Sequence, residues 1–90
     1  MGVPTKTEFD TALEEARRMR EQAQDEHHIA KTLLNLNYRC QLMAKVVDAA
    51  QHFIHSGLAP HEHATLVQAI ERVREAEARA GSDRDEFGLD

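Results

Sequence analysis

Six histidines among 90 residues are the part of this sequence with the widest chemical reach. Four of them, His52, His55, His61 and His63, stand on either side of Gly57 and Pro60. Imidazoles gathered at one turn are familiar ligands of zinc, nickel or copper, so a metal-binding protein using this His-rich end is one function the sequence allows. Spacing weighs against a single shared site. On a regular helix His52 and His55 share a face with Asp48, opposite the main apolar seam described below, whereas His63 falls on the seam side of the next helix. His61 and His63 are two residues apart and point in widely separated directions. Surface and helix-end roles for these histidines are the competing expectation, and that reading requires no cofactor.

Other reactive residue types are isolated. Asp25 with His28 and Asp48 with His52 are spaced as neighbours on a helix face, a spacing also used by the carboxylate–histidine sites of di-iron bundles. Those sites need several inward-facing Glu, and the inward positions here are Leu, Val, Ala, Met and Ile. Cys40 is the sole thiol, so it makes no intramolecular disulfide, and no His on its own helix face is placed to activate it. Its position within an apolar repeat suits a small buried side chain in a reducing compartment. A non-enzymatic protein is the resulting expectation.

Positioning these residues falls to helices. Charged residues make up 30% of the chain, apolar ones 41%, and Pro occurs only twice, a composition that favours helix. Thr5 and Glu8 stand in capping-box spacing, with Phe9 where a staple residue belongs, so the first helix starts near Thr5. From there to Ser56 no Gly or Pro interrupts the run, which as one straight helix would measure about 75 Å. Gly57 ends it, with Leu58 placed to fold back on Phe53 in a Schellman motif, and Pro60 opens a second helix. In that helix His63, Leu66, Ile70, Val73 and Glu77 form a stripe that Val67 widens, and Gly81 supplies the stop. So short a loop makes the two helices antiparallel neighbours.

The strongest periodic signal is Ile29, Leu33, Leu36, Cys40, Met43, Val47, Ala50 and Ile54, spaced by alternating four and three. This seam predicts the intramolecular core. A second stripe, Leu42, Val46, Ala49 and Phe53, then remains for a partner, with Tyr38 as an aromatic anchor. A further stripe, Phe9, Ala12, Ala16, Met19 and Ala23, points about a third of a turn away from the seam, and the two registers meet in the polar stretch 25–28.

The fold class predicted is therefore all-α: a long antiparallel helical hairpin (helix about 5–56, turn 57–59, helix about 60–80) pairing into a four-helix bundle dimer. The alternative is a three-helix bundle with a break near residues 24–28. Residues 81–90 read as an acidic, flexible tail in which Phe87 and Leu89 are candidate docking residues. A formal charge of −5, with Arg interleaved among Glu, disfavours nucleic acid, and no apolar run approaches the ~18 residues of a membrane span. The expected function is a protein–protein interaction module, an adaptor, regulator or assembly factor, acting as a cytoplasmic homodimer with an unidentified protein partner.

Overall fold

The structure, a computed structural model, describes residues 2–82. These residues are all-helical, in the order α1 (Lys6–Glu21), α2 (Ile29–His55) and α3 (Pro60–Ser82). The fifty-residue helix expected from Thr5 to Ser56 does not form: residues 22–28 interrupt it, which agrees with the three-helix alternative. Two compact units result, one within Met1–Tyr38 and one within Arg39–Asp90.

In the first unit, α1 begins at the expected box. The Glu8 amide donates to Thr5 Oγ1 at 3.1 Å, and the Thr5 amide donates to Glu8 Oε1 at 2.8 Å, so two otherwise orphaned amides are satisfied reciprocally. Lys6–Asp10 and Arg18–Glu15 pair along its exposed side. The helix ends without any glycine. The Gln24 amide donates to the Met19 carbonyl and the Ala23 amide to the Arg20 carbonyl, the two bonds of a Schellman motif, and Ala23 takes the left-handed position at φ 53°. Alanine adopts that conformation at a cost of about 1–2 kcal/mol, which is why a breaker-based reading passes over the site.

Asp25 then starts α2. One carboxylate oxygen accepts from the Ala30 amide and the other from the Lys31 amide, each at 2.9 Å, while Arg20 approaches at 3.4 Å. A carboxylate on the first-turn amides complements both the orphan donors and the positive end of the helix dipole. Burial alone raises the Asp25 carboxyl pKa, but the Ala30 and Lys31 amides and then Arg20 outweigh it and hold the group below the usual carboxylate range. Its side chain is buried, and Leu13, Ala16 and Ala30 form the small apolar core of this unit.

In the second unit, α2 from Arg39 onward runs antiparallel to α3. Two pairs fix that register: Arg39 clasps Glu77 with two bonds of 2.6 Å, and at the turn the rings of Phe53 and His63 lie 5.4 Å apart. Leu42, Ala49 and Ala76 are buried between the helices, with Val46, Phe53, Leu66, Ile70 and Val73 half-buried beside them. The turn is the predicted Schellman motif: the Leu58 amide donates to the Phe53 carbonyl at 3.0 Å and the Gly57 amide to the Ile54 carbonyl, with Gly57 at φ 73°. Leu58 itself turns left-handed, and its side chain stays 61% exposed. Ser56 Oγ donates to the Phe53 carbonyl and accepts from the Ala59 amide, locking the exit into α3. Described α3 runs to Ser82, within two residues of the end expected near 80; residues 83–90, with Phe87 and Leu89, lie outside the described residues.

Candidate functional site

Rotation of α2 about its own axis decides which residues are available for function, and it is the reverse of the sequence expectation. Leu42, Val46, Ala49 and Phe53, expected at a dimer or partner interface, face α3 and make the core of the second unit. Residues of the heptad seam, expected inside, face out: Met43 is 41% exposed, Val47 58% and Ile54 66%, while Leu42 is only 8% exposed. Cys40, expected as a buried hydrophobe, is free and exposed. Within the first unit, Ile29, Leu36 and Tyr38 are likewise exposed.

The reason is visible in the pairs that flank the core. Arg39, Leu42, Val46, Ala49 and Phe53 form one three-and-four stripe on α2; His63, Leu66, Ile70, Val73 and Glu77 form one on α3. Laid antiparallel, these stripes bring Arg39 to Glu77 and Phe53 to His63. Presenting the seam to α3 instead would turn α2 by about a third of a turn and pull Arg39 from its partner. The signal was present in the sequence as the polar ends of the two stripes, and the longer all-apolar seam masked it.

The opposite side of the same hairpin is polar. A cleft of about 260 Å³ lies between α2 and α3, lined by Lys45, Asp48, His52, Glu62 and Arg72 among others. Cations and carboxylates are mixed there, so no single sign of charge dominates. His52 stands 3.9 Å from Asp48 on a highly exposed surface. His55 and His61 are exposed, and His63 packs its ring against Phe53. Among the described residues no group of three or more His, Cys, Asp or Glu is placed to hold a metal ion. Asp25 and His28 are not paired as side chains: the Asp25 carboxylate is occupied by the α2 amides, and the His28 amide donates to the Asp25 carbonyl.

What the second unit offers chemically is therefore an apolar face. On the regular helical period Val67 of α3 falls on the same side of the hairpin as Met43, Val47 and Ile54, and it is 42% exposed; Glu71 and Arg74, four and seven residues further on, fall on that side too, so the apolar part of the face belongs mainly to α2. Thr65, Gln68 and Arg72 fall on the cleft side. No described helix is long and apolar enough to cross a membrane. Comparison with protein-family models, with curated proteins and with solved structures yields no match.

Proposed function

We propose that this chain is a non-enzymatic protein–protein interaction module that works as a helical homodimer, in the role of an adaptor, regulator or assembly factor. One observation carries the reading: α2 presents a heptad-spaced row of large apolar side chains to solvent after its neighbouring stripe has been used for the core. Apolar area left open at the 3.5-residue repeat is the form in which helices recognise other helices. Adaptor and assembly roles are the uses such an open apolar row serves. Light scattering coupled to size exclusion, run over a range of protein concentrations with and without a chelator, tests it. A chelator-insensitive dimer is the expected result. A monomer throughout refutes the homodimer, and assembly lost on chelation transfers the reading to the His-rich turn and to zinc, nickel or copper.

A further inference from the structure

We infer that two copies of this chain exchange α1: the helix leaves its own α2 and packs on the α2 of a second copy, with Ala23 as the pivot. The contact exchanged is the one that buries Leu13, Ala16 and Ala30. It is separate from the open row of α2 on which the homodimer proposed above stands.

Local structure makes α1 a transferable piece. Its start is closed by the Thr5–Glu8 box, and its Lys6–Asp10 and Arg18–Glu15 pairs lie within the helix, so all of these travel with it. In turn α2 starts on Asp25, whose carboxylate accepts from the Ala30 and Lys31 amides a few residues along the same segment. The start of neither helix depends on the other helix, and both survive separation. What α1 gives up on leaving is small: its buried residues are Leu13 and Ala16, and Arg20 reaches Asp25 across the break at 3.4 Å.

Between the two helices the chain reverses through Ala23 at φ 53°, a left-handed conformation in a residue with a Cβ and no polar side chain to stabilise it. An exchanged pair does not need that reversal, because α1 runs on towards the second copy and Ala23 takes an ordinary conformation in both chains. The contact itself identifies the occupant. The surface that fits Leu13 and Ala16 is this chain's own α2, and a second copy vacates the same surface when its α1 leaves. Each copy then holds the other's α1 by the contacts it makes with its own. Packing cancels between the two forms, and the strain at Ala23 and the protein concentration decide between them. Even the smaller cost of a left-handed alanine is a factor of about five in population, and a pair has two pivots, so the dissociation constant responds by roughly thirtyfold.

The test compares full chains: the wild type, Ala23→Gly, which suits the left-handed position, and Ala23→Val, whose branched side chain does not. Sedimentation from low micromolar to near-millimolar protein gives the mass, and circular dichroism the helicity. Isotope-filtered NMR on equilibrated mixtures of labelled and unlabelled chains detects contacts from the Leu13 and Ala16 methyls of one copy to α2 of another. The expected result is equal helicity in all three, association in the order Val, Ala, Gly at residue 23, and Ala23→Val dimerising at least about thirtyfold more tightly than Ala23→Gly. Every dimer of Ala23→Val shows contacts between copies from α1 to α2, and adding Val47→Asp on the open row leaves it intact. An Ala23→Val chain that stays monomeric overturns the exchange, whether it keeps its helicity or loses part of it, and so does association indifferent to residue 23. Dimers that lack those contacts and are abolished by Val47→Asp overturn the exchange and leave the homodimer through the open row standing. A wild type that is monomeric throughout, beside an Ala23→Val dimer with the contacts, overturns that homodimer and upholds the exchange.

Discussion

Truncating Leu42 and Val47 to alanine separates the two faces of α2 by stability alone. Leu42→Ala removes three carbons that are almost wholly out of water, the residue being 8% exposed, and at about 0.8 kcal/mol per buried methylene the lost transfer energy is ~2 kcal/mol. A residual cavity adds to that, but no large side chain among the described residues is completely enclosed, so water reaches the gap and the total is about 2–3 kcal/mol. Val47→Ala removes two carbons from a residue 58% exposed, and the same arithmetic gives less than about 0.7 kcal/mol. A chain of this size has a total stability of only about 5–10 kcal/mol, so the difference is a large share of it. Urea titrations followed by circular dichroism at low micromolar protein, where a weak dimer is dissociated, measure both. The orientation of α2 is refuted if Val47→Ala costs as much as Leu42→Ala under those conditions. Raising the protein concentration should then increase the cost of Val47→Ala and leave that of Leu42→Ala nearly unchanged.

Two further expectations concern the helix ends. Ala23→Gly relieves a left-handed alanine and should stabilise the protein by up to about 1 kcal/mol, whereas Gly57→Ala at φ 73° should destabilise it by about as much; thermal melts of the pair check both signs. Nothing lies within 4 Å of a Cβ added at Gly57, so the second effect belongs to the backbone and not to a clash. Asp25 has a folded pKa below its unfolded one, so its contribution is complete above the ordinary carboxyl value near ~4 and is lost as pH falls through the depressed folded value. Asp25→Asn should flatten that acid limb of a stability–pH curve and speed hydrogen exchange at the Ala30 and Lys31 amides; an unchanged curve and unchanged exchange refute the cap.

Much of the local structure could be read from residue types because the physics is local there. The Thr5–Glu8 box, the Gly57 motif and the Pro60 start each depend on a few consecutive residues with unusual backbone or hydrogen-bonding properties. The break at 22–28 depends on the same motif as Gly57, but with Ala23 in the glycine position and with Asp25 reaching amides five and six residues away, so no turn-former marks it. Ranking the two α2 stripes by length and apolarity chose the wrong core because both are apolar enough. Their difference lies in what stands at their ends, and that is information about α3 as much as about α2.

This casts the Arg39–Glu77 pair as a selector of packing. Arg39 is 14% exposed and Glu77 35% at the side chain, so desolvation offsets part of what their two bonds contribute, and an apolar replacement could hold the helices together as well. What an apolar replacement would not do is distinguish the stripes. With Arg39 and Glu77 both made apolar, α3 would meet either Leu42, Val46, Ala49 and Phe53 or, after a third of a turn, Met43, Val47, Ala50 and Ile54 at comparable burial. The charged pair breaks that near-equivalence in favour of the first, since the second leaves both groups without each other. The face proposed for self-association is then exposed because its competitor carries the polar ends that match α3. A single helix can in this way carry one stripe for its own fold and a second, purely apolar one for its partner.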